Sequence, residues 1–293
     1  MSKKNFLTIL LRIRNENLFL ESFIKHYFAE GVDEIHILDD NSTQPFPEIV
    51  KDERVFIYES TYFNSHHEKL IDAELTYEHI LRDKTEWLMF VDADEFITTR
   101  RNSDKTIREE LETTFKDADQ IKVPWIMFGS HGQDENPQRV LTDIVWRWDH
   151  DKKHPHPDEV MEVWSHRGCK YDKIEVKSIF KTDSFRKLAT HCPKDPVGNV
   201  NIVDGVDNIS NYMGEDEVQI WYHNLREDSI SRAYLGCNHY RNISKEQMRQ
   251  KADDSHLPLY RAKNCYELQL KSDFSDKIDD VLKNKCVERK IYV

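Results

Sequence analysis

Trp87-Leu88-Met89-Phe90-Val91-Asp92-Ala93-Asp94-Glu95 decides how this chain is read. A short apolar run that ends in charge reads as a buried strand. The two carboxylates at its end, one residue apart, form a donor set for a hard divalent cation. Magnesium and manganese prefer oxygen ligands, and in phosphate chemistry they are shared between one or two carboxylates and the substrate's phosphates. In a chain with 54 Asp and Glu, an isolated Asp-x-Asp is most often two surface acids following a strand. Here the context weighs against that reading. A second acidic strand end, Ile35-His36-Ile37-Leu38-Asp39-Asp40-Asn41-Ser42, lies upstream.

Between and around these ends the pattern alternates. Residues 6–13 read as an apolar strand. A helix follows in which Leu20, Phe23, Ile24, Tyr27 and Phe28 share one face at three- and four-residue spacing, and Gly31 ends it. Strands at 34–38, 54–58 and 87–91, a turn-rich stretch at 41–47 and a helix at 68–82 come next. Strands alternating with helices imply right-handed crossovers and an α/β fold with a mostly parallel sheet, whose ligands sit beyond the carboxyl ends of the strands. Both acidic turns fall at that edge. Further on, the sequence predicts a helix over 107–115 and strands over 120–127 and 175–180. It also predicts a third strand over 140–148 and a surface loop over 149–158. A helix over 244–252 follows with Ser244 as N-cap and Gln247 three residues on, then helical signals around 278–282. The expected division is one domain over 1–255 and a helical extension over 256–293.

Composition excludes several classes. At 293 residues the chain can bury a large core, and its net charge of -12 argues against a nucleic acid partner, which needs a basic face. No segment approaches the roughly 20 apolar residues of a membrane span, and the first apolar run is too short for a leader, so neither anchor nor signal peptide is expected. Five scattered cysteines without zinc-ligand spacing suit free thiols in a reducing compartment. Asn41, Asn208 and Asn242 stand in glycosylation sequons, yet Asn41 lies in a turn expected at the site. A cytoplasmic location avoids that conflict.

Arg12-Ile13-Arg14-Asn15-Glu16, Glu30-Gly31-Val32-Asp33, Asp39-Asp40-Asn41-Ser42 and residues 87–97 together resemble the nucleotide-sugar half of GT-A glycosyltransferases, closest to the family-2-like and family-92 branch. The resemblance continues through Val123-Pro124-Trp125, Phe128-Gly129-Ser130-His131-Gly132, Lys177-Ser178-Ile179 and Asn238-His239-Tyr240 with Ser244 and Lys251, covering roughly residues 5 to 255. It implies a GT-A, Rossmann-like fold, with 1–118 as the nucleotide-sugar-binding half and 119–255 as the acceptor-binding half. It also implies a metal-dependent hexosyltransferase using Mn2+ or Mg2+. The donor would be a nucleotide-diphosphate sugar, UDP favoured and GDP possible, the acceptor a glycan hydroxyl, and the outcome inversion.

The resemblance assigns Asp94 as direct metal ligand, Asp92 as a ligand through water or a ribose contact, and His239 as the histidine that returns to the metal or diphosphate. Neutral imidazole is a competent manganese ligand; His223 is its competitor. Asp40 would accept a ring N–H of the base. Arg12 and Asn15, ending the first strand, are placed to line the nucleotide site, although Arg12 reads equally as a surface ion pair and Asn15 as a helix cap. Lys177 and His191 would contact diphosphate or sugar. Glu95 reads as structural, since strand alternation would point it away. In the acceptor half, Trp125 would stack on a sugar face and Gly129 would allow close approach. Asp134 is the candidate general base, with Glu135 and Asp143 as rivals.

Two other readings compete. A nucleotidyltransferase of related architecture needs a glycine-rich phosphate loop after the first strand, and eight glycines in the whole chain leave little room for one. A carbohydrate-binding protein that has lost its chemistry would not need the acidic pair.

Overall fold

In a computed structural model, the described residues are 5–60, 66–152, 154, 169–170, 173–210, 221–223, 225–253 and 265–291. The main strands are β1 (Asn5–Ile13), β2 (Glu34–Asp39), β3 (Val55–Glu59), β4 (Thr85–Phe90), β5 (Glu95–Thr99), β6 (Gln120–Met127), β7 (Lys173–Lys181), β8 (Ile202–Asp204) and β9 (Leu235–His239). They lie side by side in the order β3-β2-β1-β4-β7-β6-β9-β5, with β8 alongside β6. On that path only β7 and β5 run against the rest. The expected α/β class with a mostly parallel sheet holds.

The helices follow from local pattern. In α1 (Asn17–Ala29), Leu20, Phe23, Ile24 and Tyr27 are fully buried against the sheet. Burying such a face contributes about 1.5–3 kcal/mol per large side chain, an upper estimate. Gly31, with φ +90°, ends the helix in the left-handed region where a side chain is strained. Helix α2 (His66–Thr76) continues into a wider turn over Tyr77–Leu81. Helix α3 (Ile107–Glu112) starts on a reciprocal capping box between Thr106 and Glu109. It stops three residues short of the expected end. Ser244 Oγ accepts the Gln247 N–H at 2.9 Å at the start of α4 (Lys245–Asp253), as the sequence predicts.

Residues 140–148 are not a strand. Val140, Leu141 and Ile144 are buried together from one short helical turn, Val140–Asp143, and only Trp146–Arg147 pairs as β structure. Apolar residues one and four apart suit a helical turn better than strand alternation. Of the predicted loop over 149–158, residues 149–152 and 154 are described and the rest lie outside the described residues.

In the C-terminal part, α5 (Cys265–Lys271) lies against α4, and α6 (Val281–Glu288) belongs to the main core, where Leu282, Cys286 and Ile291 pack in one cluster with the first helix and sheet. Charges tie it down as well. Glu30, with no exposed surface, takes Lys285 Nζ at 2.6 Å and Arg289 Nη1 at 3.0 Å, and Asp279 takes Arg100 at 2.6 Å and Arg147 at 2.7 Å. Helical signals expected at 278–282 resolve into a short strand, Lys277–Ile278, followed by α6.

Candidate functional site

The site lies where β1, β2 and β4 end. Arg12 pairs with Leu38, two residues before Asp40, and Leu10 pairs with Phe90, so extending the β4 register places Arg12 opposite Asp92. Arg12 Nη2 forms an ion pair with Asp40 Oδ2, whose side chain is buried. Arg12 is thus an ion pair inside the site rather than on the open surface. Arg14 Nη1 donates to the carbonyls of Asp40 and Asn41 at 2.9 and 3.2 Å.

Asn15 is not the cap of α1. Its backbone has φ +54°, and its Oδ1 accepts the N–H groups of Thr43 and Gln44 at 2.8 and 3.3 Å. It therefore clamps the loop after β2, while the cap position of α1 falls on Glu16. Asp39 shapes the same loop by accepting the Ser42 N–H at 3.0 Å.

The chain does not continue as a strand through Asp92 and Asp94. It turns there, with Glu95 N donating to Asp92 O at 3.1 Å, and reverses into β5. The turn folds Glu95 under Asp92, where its Oε2 accepts the Asp92 N–H at 2.8 Å. Glu95 is structural as expected, but through this turn and not through strand alternation. Lys177 comes up from β7 between the two acids, 3.1 Å from Asp92 Oδ2 and 3.2 Å from Glu95 Oε2. Burial opposes the Lys177 charge, but Asp92 and Glu95 outweigh it and raise its pKa. Burial raises Asp92 too, and Lys177 overcomes it to hold that carboxyl below its usual range. Burial pushes Glu95 well up despite Lys177.

His239 arrives on β9, in register with Glu95 on one side and Met127 on the other. The next residue fixes the approach, because Tyr240 N donates to Asp94 O at 2.8 Å. His239 Nε2 then stands 3.5 Å from Asp94 Oδ1, and Lys251 Nζ from α4 sits 2.9 Å from Asp94 Oδ2. Burial raises the Asp94 pKa, but Lys251 and His239 outweigh it and hold the carboxyl well below its usual range. Burial lowers the His239 pKa and so disfavours the charged ring, while Asp94 pulls the other way. The Trp125 ring packs against His239 at 4.4 Å and His191 at 5.4 Å, and is itself almost wholly buried. His191 Nδ1 lies 2.9 Å from Val176 O, and burial lowers its pKa to about 4.

Asp94 and His239 fit a divalent ion on one open side. Two ligands each about 2.1 Å from an ion stand about 3.0–3.4 Å apart, close to the 3.5 Å here. A neutral imidazole has one nitrogen lone pair to give, and among the described residues His239 Nδ1 has no hydrogen-bond partner. Among the described residues no set of three His, Cys, Asp and Glu side chains closes on a metal. Oxygens of a bound phosphate would have to complete the sphere.

Two expected residues belong elsewhere. A Cβ on Gly129 would meet Phe274 O, with Ser275 Oγ at 2.7 Å and Asp273 Oδ1 at 2.8 Å, so the C-terminal loop accounts for this glycine. Asp134 is 77% exposed and pairs with Lys245 Nζ at 2.7 Å, which lowers its pKa. A base held that low accepts protons weakly near neutrality. Asp143 accepts the Arg139 N–H at 3.0 Å in its own turn, and Glu135 is exposed. None of these three acids bonds to the group around Asp94. The side chain of His223 lies outside the described residues.

A model of glycosyltransferase family 92 matches residues 15–252, a span that runs from the loop clamp at Asn15 past Lys251. The chain belongs to glycosyltransferase family 92. The match takes in every carboxylate of the site and both histidines, His191 and His239, leaving only Arg12 and Arg14 before its start. A comparison with curated proteins finds no match.

Solved structures are more distant from this family-92 chain. Mannosyl-3-phosphoglycerate synthase from Rubrobacter xylanophilus shares 13% identity over 41% of this chain and 40% of its own, with a TM-score of 0.30. Glucosyl-3-phosphoglycerate synthase from Mycobacterium tuberculosis, in complex with phosphoglyceric acid, shares 15% over 48% of each chain, with a TM-score of 0.29. The same enzyme with Mn2+, uridine diphosphate and glucosyl-3-phosphoglycerate shares 13% over 48% and 47%, at 0.28. The family-92 chain spans less than half the length of these structures. No helix among the described residues is long and apolar enough to cross a membrane.

Proposed function

We propose that this chain transfers a sugar from a nucleotide-diphosphate sugar to a hydroxyl of a glycan, with Mn2+ or Mg2+, at the carboxyl edge of β1, β2 and β4. The observation that carries the reading is the pairing of Asp94 with His239 at 3.5 Å, beside Asp92 and Asp40. A divalent ion, when bound, would neutralise the charge that builds on the distal phosphate as the anomeric bond breaks. Asp94 and His239 would hold it, and Asp92, half exposed with its carboxylate kept ionised by Lys177, would reach it through water or contact the ribose.

Asp40 accepts the base N–H in this reading. Uracil and guanine both carry such a donor, so UDP is the first choice and GDP the second. Arg12 fixes the Asp40 carboxylate in place. Trp125 and His191 form the floor on the acceptor side. Inversion is carried over from the family resemblance, and the pairing of Asp134 with Lys245 leaves the base unassigned. Four buried free thiols, Cys192, Cys237, Cys265 and Cys286, support a reducing, cytoplasmic setting. Asn242 is 5% exposed, which suits a chain that carries no glycan there.

Thermal unfolding with Mn2+ and a panel of UDP, GDP, CDP and TDP, with and without chelator, tests the reading. A ligand at a hundred times its dissociation constant stabilises by about 2.7 kcal/mol. In a domain of this size that is a rise of about 4 °C. A chelator-sensitive rise with one diphosphate is expected; no rise with any of them would favour the carbohydrate-binding alternative.

A further inference from the structure

Every acid of the site faces a cation, Asp92 and Glu95 sharing Lys177, and the three cations are held differently. Lys177 is 1% exposed and wedged among Asp92, Glu95 and the Thr190 carbonyl, 3.4 Å away. Arg12 is bound to Asp40 through one guanidinium nitrogen, Nη2, to Oδ2. Lys251 is the more accessible lysine, 14% exposed, on a four-carbon stem near the end of α4. One carboxylate and one carbonyl hold it, where two carboxylates and a carbonyl hold Lys177. The Lys251 ammonium donates to the Arg241 carbonyl at 3.4 Å and occupies one oxygen of the carboxylate whose other oxygen faces His239. A divalent ion on Asp94 would bring positive charge directly against it, in a site where little water screens the two. The donor that arrives with the ion carries two phosphates, and an ammonium pushed off Asp94 can follow them as a mobile point charge.

We propose that Lys251 is an exchangeable placeholder for the metal ion: it neutralises Asp94 when no nucleotide is bound and passes to the diphosphate when metal and donor bind. The inference rests on the donor reading above. It makes metal and nucleotide binding mutually dependent, because each removes a cost that the other would meet alone. By linkage the enhancement must be the same in both directions.

Calorimetric titration of Mn2+ and UDP, separately and together, tests this on the wild type, Lys251→Met, Lys251→Gln and Lys251→Arg. In the wild type each ligand should tighten the other by about tenfold or more, within the usual range of coupled sites. The neutral variants should bind Mn2+ alone about tenfold more tightly than the wild type and bind UDP with Mn2+ more weakly, so that the coupling shrinks. Lys251→Arg keeps the charge and should stay near the wild type for Mn2+ alone. Unchanged or weaker Mn2+ binding in a folded neutral variant would overturn the proposal. So would independent binding of the two ligands in the wild type, a result that does not depend on any variant folding. A wild type that binds Mn2+ but no nucleoside diphosphate would refute the donor reading instead, and the Mn2+ titration without nucleotide would still decide whether Lys251 competes for Asp94.

Discussion

Replacing Lys177 by methionine removes the cation between Asp92 and Glu95, and the structure divides the loss unequally. Asp92 is 52% exposed, so its share is that of a surface pair, at most about 1 kcal/mol. Glu95 has no exposed surface, and stripping a buried carboxylate of its partner costs about 3–5 kcal/mol. The Asp92 N–H remains on Glu95 Oε2 and softens the loss only in part. We expect Lys177→Met to lower stability by about 3–5 kcal/mol at pH 8, or about 5–8 °C in Tm.

The pH dependence has a fixed sign. Glu95 already titrates above its ordinary 4.5 because of burial. Over the interval above 4.5 the folded state binds more protons than the unfolded state, and stability falls as pH rises. Losing Lys177 pushes Glu95 further up, so the deficit should be largest at pH 8 and shrink toward pH 5. Adding Glu95→Gln should recover more than half of it. Urea unfolding of the two single variants and the double variant at both pH values measures all of this. A loss under about 1 kcal/mol, or a double variant no better than Lys177→Met, would refute the view that Lys177 acts by holding Glu95. UDP titration of the rescued double variant then shows whether Lys177 also meets the diphosphate.

Other outcomes can be checked directly. Asp94→Asn should cut transfer at least about a hundredfold and abolish the Mn2+-dependent rise in Tm, while the half-exposed Asp92→Ala should lose transfer with a Tm change under about 2 °C; unaltered sugar transfer in both would remove the acidic pair from the mechanism. Gly129→Ala should cost about 1–3 kcal/mol through its clash with the 273–275 loop, with transfer per folded molecule retained. His26, fully buried with its pKa lowered to about 4, should make stability fall as pH drops from 6.5 toward 4, by about 1.4 kcal/mol per pH unit. In His26→Gln that slope should flatten in acid-unfolding curves.

Much of this was legible because strands and amphipathic helices leave periodic traces. The acidic turns at Asp40 and Asp94 stood out because apolar runs stop there, and the capping signal at Ser244 was complete within four residues. What stayed hidden depends on residues far along the chain. Gly129 looks like a place for a ligand to approach, yet it makes room for the loop whose Asp273 bonds Ser130 across 143 residues. Lys251 enters the resemblance only as a lysine downstream of Ser244, and its partner appears when the fold brings it 157 residues back to Asp94. Glu95 misled through geometry: alternation assumes an unbroken strand, and the chain reverses at that residue. Asn15 could not be placed because its partners, Thr43 and Gln44, lie beyond an entire helix and strand.

The buried Glu30 carries a consequence for synthesis. Its carboxylate accepts the Ile107 N–H at the start of α3, but its cations, Lys285 and Arg289, are encoded some 255 residues later. At about 5–20 residues per second, the ribosome leaves this acid without its cations for roughly 13–50 s. During that interval the first helix cannot settle against the sheet at full strength. The nascent chain should therefore wait as a loosened intermediate, open to chaperones and proteases, until the final helix emerges and locks the earliest one.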